Sequence, residues 1–196
     1  DHTVEELQAR VNSLLLEYKV WVELRNNFVE ELQSSAHNLV FPYKYLRNGQ
    51  EEMIQSAYRA IRNRERIFVE APTGIGKTIS AIYPSFLALG KGVGKRIFYL
   101  TSKTTLKNAA ANSVNLLRKN GLRARMIILT AKEKCCLRKE AVRSCDSLLC
   151  EYSDGHFSRV NAALSHLLNN FESFDESIIK MCAEEYKVCP YELSLD

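Results

Sequence analysis

No stretch of this 196-residue chain reaches about 18 consecutive apolar residues, which excludes a membrane-spanning helix. The first residues are polar and acidic, so a secretory signal peptide is missing as well. So is an initiating Met, and a chain that opens on Asp1 is expected to be a piece of something longer. There are no internal repeats and no low-complexity tracts. Hydrophobic residues make up 46% and charged residues 26%, ordinary globular values that exclude long disorder, collagen-like sequence and a coiled-coil rod. The length fits one domain, or one domain carrying an insertion. The expectation is a soluble, cytoplasmic protein with a real core and no membrane partner.

A disulfide framework is excluded by the same expectation, because cytosolic thiols stay reduced. Cysteine is nevertheless present six times, as Cys135, Cys136, Cys145, Cys150, Cys182 and Cys189. All lie in the last third, so they belong to one local structure rather than to a general core. Charge is unevenly spread too. The net of +4 decides little, but residues 91–143 carry 14 basic and 2 acidic side chains, a net of +12, while residues 144–196 carry 3 and 10. So one-sided a block fits a surface that follows a polyanion such as a nucleic-acid backbone. It also fits a solvated basic face balanced by the acidic third.

Val4, Leu7, Val11, Leu14, Tyr18, Trp21, Phe28 and Leu32 recur at three- and four-residue steps and predict one long helix over 3–34, with the stripe packed. Pro42 and Asn48-Gly49 mark a loop, and a helical pattern resumes over 50–62. Beyond residue 66, short apolar runs alternate with helical stretches. Ile67-Phe68-Val69, Ile97-Phe98-Tyr99-Leu100 and Met126-Ile127-Ile128-Leu129 are separated by helices predicted over 77–89 and 106–119. Strands apolar throughout and alternating with helices imply an α/β fold, a parallel sheet covered on both faces. Pro84 is expected to kink the first of these helices or end it early. After Thr130 the alternation gives way to the cysteine-bearing segment. A helix is predicted there through Phe157, Val160, Leu164, Leu167 and Phe171, and Ser173 with Glu176 forms a capping-box start for another that ends near 186.

Ala71-Pro72-Thr73-Gly74-Ile75-Gly76-Lys77-Thr78 matches the phosphate-binding loop pattern, with Ala71 in place of the first Gly. Small residues let the backbone wrap phosphates with N–H groups pointing inward, and the following helix offers its N-terminus to the anion. Lys77 is expected to reach the terminal phosphates, and Thr78 to hold Mg2+ through its hydroxyl. The cofactors implied are ATP and Mg2+.

Phe41-Pro42-Tyr43, Arg47-Asn48-Gly49-Gln50, Glu70 with the phosphate loop, Phe98-Tyr99-Leu100-Thr101 and Cys189-Pro190-Tyr191 together resemble the XPD and DinG family of iron-sulfur superfamily 2 DNA helicases. Thr130-Ala131-Lys132-Glu133-Lys134 and Gly155-His156-Phe157 resemble the bacterial DinG-like members most. The resemblance implies an ATP-driven motor moving 5′ to 3′ on single-stranded or forked DNA. Its implied organisation is an N-terminal helix over 1–39, part of a RecA-like P-loop motor domain over 40–131, an iron-sulfur insertion over 132–191 and a return to the motor over 192–196. Gln50 then matches the adenine-reading glutamine, whose amide donates and accepts at once; a solvated first-turn residue fits the same position. Thr101, Ser102, Lys103 and Thr104 match the segment that touches the DNA backbone, and an ordinary helix cap also explains them; Lys107, with Lys103, is a candidate DNA contact within the +12 block.

That family hydrolyses ATP with an Asp-Glu pair ending a later apolar strand. Asp175-Glu176 is the only such neighbouring pair here, and it opens a helix. The rest of the motor, including the second motor domain, is therefore expected outside this sequence, and the chain alone is expected to bind nucleotide with little turnover. Cys136, Cys145, Cys150 and Cys189 fit the family's ligand spacing for a four-iron, four-sulfur cluster, with Cys135 and Cys182 outside it. Zinc also takes four thiolates. A zinc-bearing, non-enzymatic nucleic-acid-binding module with a nucleotide-binding loop is the other reading.

Overall fold

A computed structural model describes residues 3–102, 104–138, 145 and 149–196, with 104 and 105 by backbone only. The chain divides into two compact units, residues 1–123 and 124–196.

The first unit is helical. Helix α1 (Val4–His37) opens with a reciprocal cap: the Thr3 hydroxyl accepts from the Glu6 N–H, and the Glu6 carboxylate accepts from the Thr3 N–H at 2.9 Å. Helix α2 (Gln50–Asn63) begins after Gly49 in the left-handed region, and α3 (Lys77–Gly90) after Gly76 in the same region. Helix α4 (Thr104–Lys119) follows. The centre is α3, which packs against α1, α2 and α4 and buries Ile79, Ser80, Ile82, Pro84, Phe86, Ala88 and Leu89. A helix apolar on nearly every side belongs in the interior. Pro84 neither ends nor shortens it, contrary to expectation: α3 runs on to Gly90. Burial of the ring among its neighbours offsets the hydrogen bond it removes.

The stripe of α1 is also not what the sequence predicts. Ala36 is buried, and Trp21, Phe28 and Leu32 are half-buried, but Val4, Leu7, Val11, Leu14 and Tyr18 stand in solvent. Periodicity fixes which residues share a face, not whether anything in the same chain covers it.

The expected multi-stranded sheet is reduced to a single short ladder among the described residues. Strand β1 (Met126–Ile127) pairs parallel with β2 (Ser173–Phe174), in register Met126 to Ser173 and Ile127 to Phe174. Residues 67–69 and 97–100 belong to no ladder, and Phe68 is 96% and Leu100 87% exposed. A strand exists only with a neighbour, and a run of apolar β-formers with none within reach stays extended and unpaired.

The second unit is built on α6 (His156–Asn170), α7 (Glu176–Tyr186) and α8 (Pro190–Leu195), with the short α5 (Lys132–Cys135) before them. Its core gathers Val160, Ala163, Leu167, Phe174, Ile179, Cys182, Ala183, Val188 and Leu193. Asp175, not Ser173, caps α7, because Ser173 is committed to β2 and the Asp175 carboxylate accepts from the N–H groups of Ser177 and Ile178.

Candidate nucleotide and nucleic-acid site

The loop from Ala71 to Gly76 leads directly into α3, so the backbone N–H groups of the first turn have no carbonyl behind them and face the loop. Gly74 (φ +87°) and Gly76 (φ +86°) both occupy the left-handed region. The Lys77 ammonium folds back over the loop and donates to the carbonyls of Ala71 (2.9 Å) and Pro72 (2.8 Å). Its charge therefore sits within the concave turn that a phosphate would enter. Thr78 occupies the next position of α3.

Gln50 lies behind this loop and is 3% exposed. Its Oε1 accepts from the Arg47 N–H at 3.0 Å, and its Nε2 lies 2.7 Å from where a Cβ on Gly76 would stand. Arg47 donates from its guanidinium to the carbonyl of Gly74, and Gly49 faces the Ile75 side chain. The turn 47–50 is thus a wall against which the phosphate loop rests at Gly74, Ile75 and Gly76. A cavity of about 400 Å3 opens beside it, lined by Tyr43, Lys44, Tyr45, Arg47, Gln50, Gly76 and Ile79. The segment bearing the two tyrosines is pinned to α3: the Tyr83 hydroxyl donates to the Leu39 carbonyl at 3.2 Å, and Phe41 meets the Tyr83 ring edge-on at 5.2 Å. Burial pushes the Tyr83 hydroxyl pKa up, so it stays a donor. Sequence reasoning left Arg47 without a role; its signal was its place three residues before Gln50.

Of the residues expected to meet DNA, Thr101 and Lys107 are half-exposed around the start of α4 and Thr104 opens that helix. Lys103 lies outside the described residues.

The cysteines divide by environment. Cys182 is fully buried in the second unit's core, its thiol donating to the Ala163 carbonyl, and burial pushes its pKa up to about 11. Cys135 is buried too, and burial and the nearby Cys189 sulfur raise its pKa. Cys189 caps α8 and is half-buried, with its pKa also raised by burial. Cys136 and Cys150 are half-exposed and Cys145 is exposed; a bond from Cys145 raises the pKa of Lys132. Among the described residues no three His, Cys, Asp or Glu side chains gather as a metal-holding group.

Two side chains of α6 tie the ends of that segment together. His156, 2% exposed, accepts from the Cys189 N–H through Nδ1, so Nε2 carries the proton and donates to Asp196 at 3.1 Å. Arg159 donates to the carbonyls of Lys187, Glu151 and Asp154. The turn after Cys150 and the stretch before Cys189 are therefore held to the same helix end.

A Gly-containing loop feeding a helix, backed by a buried glutamine and flanked by a cavity, has the form of a nucleotide-binding site. The family model for DEAD/DEAH box helicases matches residues 47–171, more than half of the chain, and the chain belongs to that family, whose motor domain is RecA-like. It is also similar to a probable ATP-dependent helicase of Methanocaldococcus jannaschii, 32% identical over 80 residues. That match covers 41% of this chain and 12% of the relative. No solved structure matches the chain. No helix among the described residues is long and apolar enough to cross a membrane.

Proposed function

We propose that the chain is the nucleotide-binding part of an ATP-dependent DNA helicase of the DinG and XPD kind, with 5′ to 3′ polarity on single-stranded or forked DNA. The observation that carries the reading is the Lys77 ammonium, folded back onto the Ala71 and Pro72 carbonyls of its own loop at the N-terminus of α3. An exposed ammonium held by neutral carbonyls still gains from an anion that brings full charge to it. Arriving phosphates would take Lys77 from Ala71 and Pro72 and accept from the first-turn N–H groups, with the helix dipole aiding. Mg2+ supplies charge neutralisation between the phosphates when bound, and Thr78, next to Lys77 in α3, would hold it through its hydroxyl.

Gln50 and the cavity beside it support adenine as the base, with Tyr43 and Tyr45 offering apolar ring surface and the amide offering both donor and acceptor. Thr101, Lys103, Thr104 and Lys107, within the +12 block, are the proposed contacts to the DNA backbone. The iron-sulfur subtype rests on the sequence pattern of Cys136, Cys145, Cys150 and Cys189 in 132–191.

Calorimetric titration of the chain with ATP and Mg2+ tests the reading. Binding is expected for the unaltered chain, and Lys77→Ala should weaken it by about 1.5 to 3 kcal/mol, the worth of a charge-assisted contact. Gln50→Ala should narrow the difference between ATP and GTP. Equal affinities for the unaltered and Lys77→Ala chains would sink the phosphate assignment. Iron and sulfide analysis of anaerobically purified protein tests the subtype, and stoichiometric zinc would replace it with the other metal.

A further inference from the structure

Every residue of α1 from Val4 to Val20 is exposed, yet Val4, Leu7, Val11, Leu14 and Tyr18 make one apolar line along it. The steps alternate between three and four residues, the spacing of a coiled-coil seam, and Leu15, Leu16 and Val20 are exposed beside it. Trp21 continues the line and is half-buried. We propose that this segment pairs with the same segment of a second copy of the chain, as an antiparallel two-helix coiled coil.

Charge selects both the occupant and the direction. Arg10 and Glu17 each immediately precede a seam residue, Val11 and Tyr18, and both are exposed. In an antiparallel pair with Val11 of one copy on Leu14 of the other, Leu7 meets Tyr18 and Val4 meets Trp21. Arg10 then faces Glu17 of the second copy, and the two-fold axis repeats the contact. In a parallel pair Arg10 would face Leu15 and Glu17 would face Val22, so neither charge finds a partner, and Arg25 would meet its own copy in the seam. The two-fold lays exposed surface on exposed surface except where half-buried Trp21 meets Val4, with the two globular bodies at opposite ends. The i,i+4 pair of Lys19 and Glu23, at 3.8 Å, lies off the seam and is left intact.

The test is analytical ultracentrifugation of the 196-residue chain over a concentration series. Reversible dimerisation is expected for the unaltered chain, and Leu14→Glu should abolish it. Arg10→Glu and Glu17→Arg should each weaken the dimer by about tenfold, because each turns two attractive contacts into two repulsive ones. An equimolar mixture of those two variants should dimerise as the unaltered chain does, since the heterodimer restores both attractive contacts. That rescue also shows that neither variant is merely unfolded. A chain monomeric at every concentration, as expected if the stripe is covered by another part of a longer protein, overturns the proposal. So does a dimer indifferent to Leu14→Glu, or a mixture no tighter than its components.

Discussion

Gly76 meets two demands at once. Its φ of +86° is costly for any residue with a Cβ, and that Cβ would stand 2.7 Å from the Gln50 amide. A side chain there would push Gln50 off the loop as well as strain the turn. Asp175 is the second informative residue. Its carboxyl is held below the ordinary range, first by the Ser177 hydroxyl at 2.6 Å and then by the Ile178 N–H at 3.0 Å. A depressed folded-state pKa means stability that is fully present above the usual carboxylate range and lost as pH falls through the folded value. Asp175→Ala should cost about 1 kcal/mol at neutral pH, and the difference from the unaltered chain should close in acid. Denaturant melts at both pH values measure this, and a gap independent of pH would refute the capping assignment. Cys182 gives a third outcome: with its pKa pushed up to about 11 and no exposed surface, it should be the slowest thiol to alkylate, and exposed Cys145 should be faster. Peptide mapping after brief iodoacetamide treatment of chelator-stripped protein reads the order.

At the scale of the element, the helices were legible because their signals are local. The period of α4 brings Ala110, Val114 and Leu117 inward together, and Gly49 and Gly76 punctuate the starts of α2 and α3. The Gly-containing loop before α3 was legible for the same reason. The sheet was not, because an apolar run such as 97–100 records what a strand needs and not who supplies it. The cap of α7 was misplaced by two residues, since Ser173 satisfies the capping-box pattern only if β2 is absent. The close approach of α1 and α3 left no sequence signal at all. A Cβ on Gly90 would stand 2.4 Å from the His37 N and 2.5 Å from the Ala36 carbonyl carbon. Gly90→Ala should therefore cost about 1 to 3 kcal/mol by forcing the helix ends apart, more than the substitution's entropic gain. A thermal melt checks it, and an unchanged or raised midpoint would contradict the contact.

For the whole molecule, the asymmetry of charge matters more than its total. If the +12 block carries the proposed DNA contacts, binding to single strands should fall steeply with salt, with a logarithmic slope of about 0.7 per phosphate contacted. Fluorescence anisotropy across a salt series gives that slope. Lys103→Glu with Lys107→Glu should reduce it, and a flat profile would remove the block from the interface.

Phe68, Phe98 and Leu100 remain in solvent within a unit that is otherwise well packed around α3. Environment-sensitive dyes such as anilinonaphthalene sulfonate brighten on apolar surface of this kind, and their fluorescence is the usual sign of a molten globule. This chain should brighten the dye while fully folded, and still unfold cooperatively on heating. Near-ultraviolet dichroism from the half-buried Trp21 would separate the two states, because a true molten globule loses that signal and this protein keeps it.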